Sequence, residues 1–359
     1  MCMAKFLLFS DAHVHAHKKS QERLKDCINA LEWVFQTAVD RNVDAVLFGG
    51  DLLHDRQRID SLTYNQIFNV LEKYQNSNFK VYLLLGNHDL WFSTNLSVSS
   101  VRPFKALNNY EVIDSTLSKD ICGVNWHFMP YTHEPIAELE KLRKDIKNSY
   151  LLGHLAIDGA KLNSSGSISD VIIEHDGDMV AVGKDLFHSY KRAFFGHYHS
   201  AQKLTPTIEY IGSPLELSFG EAGEKKHIII LDSNTNELEY IENTFSPRHL
   251  YIKESEVQNI DPQELKNNFV CLISEGTDQH ETKKNMNKVI AELGASAVQV
   301  KKQTTQVDAH AITDAKVLLE NKDKLLEKYV EQIQETKLDR KRLLEIGNLI
   351  IREQLSEEN

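Results

Sequence analysis

The sequence has 359 residues, 41% hydrophobic and 26% charged, with a formal net charge of −11 at pH 7. That length exceeds one small core and predicts a large domain with one or two smaller parts, in a composition ordinary for a soluble globular protein. The acidic balance argues against a chain that grips nucleic acid through a large basic surface, but it does not exclude a nuclease, because bound divalent cations reverse the sign where a phosphate must sit and a partner can supply positive surface.

From the start of the chain, Phe6 to Phe9 is too short for a signal-peptide core and runs into Asp11 and His13, so it reads as a strand. No apolar run approaches the roughly 18 residues a membrane helix needs. Cys2, Cys27, Cys122 and Cys271 lie far apart and form no CxxC, which predicts reduced thiols in a cytoplasmic protein.

Short apolar runs then alternate with helical patterns. Lys5–Phe9, Ala45–Phe48, Val81–Leu85, Trp126–Met129, Tyr150–Leu152, Ala193–Phe195 and Ile228–Leu231 read as buried strands. Leu24, Cys27, Ile28, Leu31, Phe35, Ala38 and Val39 recur at helical spacing. A second helix over 61–75 carries Ile67, Val70, Leu71 and Tyr74 on one face. Asn163–Ser169 is a Ser/Gly-rich loop. Past Thr244 a compact unit follows: strand Leu250–Lys253, helix Pro262–Asn267, strand Val270–Ser274, helix Thr282–Leu293 and strand Ala297–Lys301. Two amphipathic helices fit the rest, over 314–335 and 339–355, suited either to packing on their own domain or to docking on another helix. The expected division is 1–245, 246–305 and 306–359.

Five polar motifs follow strands in order: Asp11-Ala-His13, Gly49-Gly50-Asp51, Gly86-Asn87-His88-Asp89, Gly153-His154 and Gly196-His197-Tyr198-His199. Open α/β sheets bind ligands at the carboxyl ends of their strands. Carboxylate and imidazole suit first-row divalent metals, and a pair of such ions can share a bridging carboxylate. Asn and His beside glycine after an apolar run are costly to bury without partners. Two imidazoles at i and i+2 share one side of an extended chain.

This ordered set resembles the signature of calcineurin-like metallophosphoesterases, and within them the SbcD-type DNA repair nucleases. Gly50-Asp51-Leu52-Leu53-His54, Gly153-His154-Leu155-Ala156-Ile157, Tyr210-Ile211-Gly212-Ser213-Pro214 and Leu217-Ser218-Phe219-Gly220-Glu221 are similar to that branch's segments. The resemblance covers residues 4–232 by motif and the remainder by architecture only. It implies an α/β fold, a layered β-sandwich flanked by helices, with a small α/β capping domain and C-terminal helices. It implies two divalent ions, Mn2+ being the expected metal. Asp11, His13, Asp51 and His199 would hold one ion, and Asp51, Asn87, His154 and His197 the other. His88 would be the catalytic histidine outside the metal shells and His54 a substrate-phosphate contact. Asp89 would orient His88 or serve the turn. His15 and His17 stand where the family commonly has Leu-Gly, and they read as loop histidines. Asp55, His127 and His175 are assigned to structure or surface.

The function expected is a metal-dependent DNA exonuclease/endonuclease subunit in recombination, repair or replication. It would be a homodimer acting with an SbcC-like coiled-coil ATPase docked on Thr313–Leu355. The alternatives are a phosphatase or nucleotide phosphodiesterase of the same fold, or a non-catalytic scaffold for the ATPase.

Overall fold

The computed structural model describes residues 4–15, 20–56, 58–92, 95–142, 144, 146–161, 181–274, 279–302 and 342. The chain divides into a unit over 1–301 and another over 302–359. The second, like the loop at 163–169, His17 and His175, lies outside the described residues apart from Lys302 and Arg342.

The first strand, β1 (Lys5–Phe9), leads to helix α1 (Gln21–Asp40), strand β2 (Ala45–Phe48), helix α2 (Ser61–Lys73) and strand β3 (Lys80–Leu84). A small hairpin, β4 (Leu90–Phe92) and β5 (Asn95–Ser99), precedes β6 (Tyr110–Ile113), β7 (Leu117–Ile121) and β8 (Val124–Met129). Helix α3 (Pro135–Lys141), β9 (Tyr150–His154), β10 (Arg192–Gly196), β11 (Gln202–Thr205), β12 (Ile208–Tyr210), β13 (His227–Asp232) and β14 (Glu237–Glu242) follow.

Two six-stranded sheets result, in the orders β14-β13-β1-β2-β3-β6 and β11-β12-β10-β9-β8-β7. In the first, β1, β2, β3 and β6 run parallel, β13 is added antiparallel beside β1, and β14 antiparallel beside β13. In the second, β8, β9, β10 and β12 run parallel, with β7 and β11 antiparallel at the edges. Strands buried on both faces explain the unbroken apolar runs of the sequence. Phe6 and Leu8 of β1, Ala45 and Leu47 of β2, and Trp126, Tyr150 and Phe194 of the second sheet share one core cluster between the sheets. Leu7, Phe9, Val46 and Phe48 point the other way and pack with Leu31, Phe35 and Ile67 of the helices. The Phe6 and Trp126 rings meet edge to face at 5.2 Å, locking sheet to sheet.

Both long helices start on side-chain caps: Ser20 accepts from Arg23 N, and Asp60 from Thr63 N at 2.8 Å. The buried face of α1 runs through Cys27, Ala30, Leu31, Val34, Phe35 and Ala38. Val39, expected on that face, is 46% exposed; it stands one helical step beyond Ala38, rotated by about 100°.

The segment after Thr244 forms a three-stranded sheet, β15 (His249–Lys253), β16 (Phe269–Ser274) and β17 (Ala297–Lys302), with helices α4 (Pro262–Leu265) and α5 (Gln279–Ala291). It has its own core of Ile252, Leu265, Val270, Leu272 and Val289. Arg23 of α1 joins it to the sandwich. This buried guanidinium donates to the Glu216 carbonyl and lies 5.1 Å over the Phe269 ring.

Candidate metal centre

The five motifs meet at one edge of the sandwich. Asp11 and His13 follow β1, Gly49–Asp51 follows β2 and Gly86–Asp89 follows β3, all parallel strands of the first sheet. Gly153 and His154 end β9, and His197 follows β10, both in the second. The two sheets therefore bring their carboxyl ends together around the same side chains. The loops after β1 and β2 continue the pairing beyond the strands: Asp11 N donates to Gly50 O (2.9 Å), His13 N to Asp51 O (3.0 Å) and Val14 N to Leu52 O (2.9 Å).

Asp11, His13, Asp51 and His197 have positive φ, at 53°, 40°, 63° and 104°. Non-glycine residues rarely adopt this region, and the strain is tolerated where surrounding bonds over-determine it. Gly86 faces the same constraint from outside: a Cβ there would collide with Asp51 Oδ1 and Asp51 N. A Cβ on Gly196 would strike Ser10 and the Gly49 carbonyl.

Asp51 is the hub. Its Oδ2 lies 3.4 Å from His13 Nε2 and 3.3 Å from His154 Nε2, while Oδ1 accepts from His88 N at 2.8 Å. On one side, His13 Nε2 is 3.0 Å from His199 Nε2, and Asp11, His13 and His199 can bring ligand atoms within 4.8 Å of one another. On the other, Asn87 Oδ1 is 3.0 Å from His154 Nε2 and 3.3 Å from His197 Nδ1. Asp11, His13, Asp51, Asn87, His154 and His197 are all buried.

The ring orientations test whether cations fit. His154 Nδ1–H donates to the Gly49 carbonyl at 2.8 Å, so a neutral His154 turns the Nε2 lone pair toward two oxygen acceptors. His199 Nδ1–H donates to Glu221 Oε1 at 2.9 Å, leaving its Nε2 lone pair toward His13. Among the described residues, Asp11 Oδ2 and His197 Nε2 are buried with no hydrogen-bond partner. Lone pairs converging on one another are satisfied by a cation. The 3.0 Å between His13 and His199 nitrogens also suits adjacent ligands at right angles about an ion with bonds of about 2.1 Å. The donor set fits divalent metals.

Burial drives the electrostatics. It raises Asp11 above the usual carboxylate range, holds His13 down to about 3, and keeps His197 well below an ordinary histidine. Burial opposes charge on His154 too, but the Asp51 carboxylate outweighs it and lifts His154 to about 9, a proton on Nε2 that a cation between these groups would replace. Asp51 itself is burdened by burial and held well below its ordinary value by His154 and His13.

His88 is half-buried at the rim. Its Nδ1–H donates to the His54 carbonyl at 2.6 Å, and its ring lies 4.7 Å from His13. His54 is solvent-exposed, but its ring is packed against His15 at 4.1 Å and His88 at 5.7 Å, and this partial desolvation, with the neighbouring histidines, holds it down to about 4. His15 also donates from Nδ1 to the His13 carbonyl at 2.8 Å, so this loop histidine braces the rim. His127 lies away from the site, bonded to Tyr190 Oη at 2.9 Å.

Asp89 does not touch the His88 ring. Its carboxylate accepts from Asp51 N (2.8 Å), Leu52 N (2.9 Å) and Gly86 N (2.9 Å), pinning two ligand loops together. Glu221 and Lys226 were not singled out as site residues by the sequence. Glu221 stood only within the family-like Leu217–Glu221 segment, and no motif marked Lys226.

A model of the calcineurin-like phosphoesterase family matches residues 4–201. The chain is similar to exonuclease subunit 1 of Enterobacteria phage T4, at 22% identity over 304 residues, covering 83% of this chain and 84% of that protein. It is also similar to the D subunit of the nuclease SbcCD of Escherichia coli (strain K12), at 26% identity over 278 residues, covering 66% of this chain and 67% of that one. Among solved structures, TT1561 of Thermus thermophilus aligns with a TM-score of 0.39 at 15% identity, over 67% of this chain and 99% of that one.

Proposed function

The chain belongs to the calcineurin-like phosphoesterase family, a family of metal-dependent hydrolases, and from that premise we propose that it is a DNA nuclease subunit cleaving phosphodiester bonds at a two-ion centre. The observation that carries this is Asp51 Oδ2, set within 3.4 Å of imidazoles from both donor groups. Asp11, His13, Asp51 and His199 would hold one ion; Asp51, Asn87, His154 and His197 would hold the other. When bound, the ions, Mn2+ in this proposal, activate a water and neutralise phosphate oxygens.

The chain's own groups do the rest. Asp51 Oδ1 fixes the His88 backbone, and the His54 carbonyl accepts a hydrogen bond from His88 Nδ1–H. In its doubly protonated form, with Nδ1–H anchored in this way, His88 would give its Nε2 proton to the leaving oxygen and keep the neutral Nδ1–H tautomer, an effect typically worth roughly 10²–10⁴-fold. His54, on the same rim, contacts the substrate phosphate. DNA as substrate is supported by the two relatives named as an exonuclease subunit and a nuclease subunit, whose alignments are longer than residues 4–201. The proposal extends to homodimerisation and to an SbcC-like ATPase docked on Thr313–Leu355, which apart from Arg342 lies outside the described residues. Division of the chain at 1–245, 246–305 and 306–359 belongs to the same proposal.

Side-by-side assays with Mn2+ on DNA, bis(p-nitrophenyl) phosphate and p-nitrophenyl phosphate test the reading. We expect DNA and the diester to be cleaved and Asp51→Asn to be inactive. Turnover of the monoester alone, or an Asp51→Asn variant as fast as wild type, would overturn it. Deleting residues 313–359 should abolish co-purification with the ATPase while sparing cleavage of short single strands.

A further inference from the structure

His199 is held at both ends by a segment well beyond it in sequence. Its carbonyl accepts from Ser213 N (3.0 Å) and from Lys226 Nζ (3.0 Å). Its ring donates Nδ1–H to Glu221 Oε1 at 2.9 Å. The other Glu221 oxygen is used as fully: Oε2 accepts from Lys226 Nζ (2.7 Å), Leu217 N (3.0 Å) and Ser213 Oγ (3.2 Å). Glu221 and Lys226 are both buried, at 5% and 3% exposure.

A buried ion pair with every oxygen occupied has no freedom to turn. Its carboxylate can take only an N–H from the imidazole. In the neutral ring it therefore fixes the tautomer with hydrogen on Nδ1 and directs the Nε2 lone pair at the space shared with His13 Nε2. Carboxylates behind ligating histidines orient the ring and raise its basicity, and losing one typically weakens metal affinity about 10–100-fold. Resting on the two-ion reading above, we infer that Glu221, buttressed by Lys226, is the positioning residue that presets His199 to receive one of the two ions. Glu224 supplies an internal control. It also meets Lys226 (2.9 Å) and bonds Ser200 Oγ, but it makes no bond to the His199 ring.

The test titrates Mn2+ into the full chain by chelator competition and calorimetry, with thermal melts to confirm folding. Glu221→Gln should weaken one of two ions about 10–100-fold and leave the other unchanged. Its kcat should fall with KM for DNA little altered, and excess Mn2+ should restore the rate. Glu224→Gln should match wild type in metal affinity. In wild type, nitrogen-15 histidine correlations should show His199 protonated on Nδ1. Glu221→Gln binding both ions as tightly as wild type, equal losses in Glu224→Gln, or a His199 protonated on Nε2 would each overturn the inference. The tautomer measurement decides even if Glu221→Gln does not fold. A wild type that binds no Mn2+ would instead overturn the two-ion reading itself.

Discussion

The backbone N–H of Asp51 donates to the carboxylate of Asp89 at 2.8 Å, so the hub of one ligand loop is fixed by the last residue of another motif. Leu52 N and Gly86 N complete three donors on that one buried side chain. Asp89→Ala leaves all three unsatisfied. A hydrogen bond to a charged group contributes about 1.5–3 kcal/mol, so a loss of more than about 3 kcal/mol is expected in urea melts, together with loss of metal binding. Asp89→Asn keeps an acceptor for two of the donors and should fall between.

If His88 acts as proposed, giving a proton and binding no ion, His88→Ala should lower kcat by roughly 10²–10⁴-fold. Metal stoichiometry, measured by elemental analysis, should stay as in wild type. A variant that loses an ion with its rate would place His88 inside a metal shell.

Gly86→Ala sets a methyl against Asp51 Oδ1 and backbone N, which cannot retreat because Asp89 grips that loop. Metal affinity should fall sharply while the circular dichroism spectrum remains that of a folded protein. Gly223→Ala is the wrong comparison, since its φ of +82° strains any side chain; Gly183, with open space around it, is the right one.

His227 in β13 is held down to about 4 by burial and then by the adjacent Lys226 charge. In the unfolded chain it titrates near 6.5. Between those values the unfolded state binds the extra proton, so folding stability is full above about 6.5 and declines as pH falls toward 4. His227→Gln should flatten that part of the stability–pH curve by on the order of 2 kcal/mol.

Arg23→Met removes the guanidinium that joins α1 to the Glu216 carbonyl and to Phe269. It keeps much of the apolar stem but leaves a buried carbonyl short of a donor. A loss of about 1–3 kcal/mol is expected, with increased proteolysis at the junction near residues 244–248.

The fold was legible where both faces of a strand are covered. Phe6 to Phe9 and Val46 to Phe48 alternate between the inter-sheet core and the helices, so every position is apolar. The edge strands lacked that signature. β7 reads Leu-Ser-Lys-Asp-Ile and β14 Glu-Leu-Glu-Tyr-Ile-Glu, because one face meets solvent, and the hairpin β4–β5 is mostly exposed. The candidate ligand residues stood out in the sequence because their types and order are unusual together, and the fold brings them to one edge of the sandwich. Their supports did not stand out: Asp89 serves three backbone amides that no pattern marks, and Glu221 reaches His199 only after the chain has turned through Gly212 and Ser213.

Strand β13 lies beside β1, with Leu7 facing Ile230. The first strand of the chain therefore waits for residues more than two hundred positions later before its second edge is covered. During synthesis at roughly 5–20 residues per second, that edge stays open for on the order of ten seconds or more. For most of that interval Asp11 and His13 have been made while His199 and Glu221 have not, and the last two precede β13 by only a few tens of residues at most. The nascent chain cannot assemble the centre piecemeal, and ribosome-bound fragments ending before residue 227 should be bound by chaperones and released once β13 has been made.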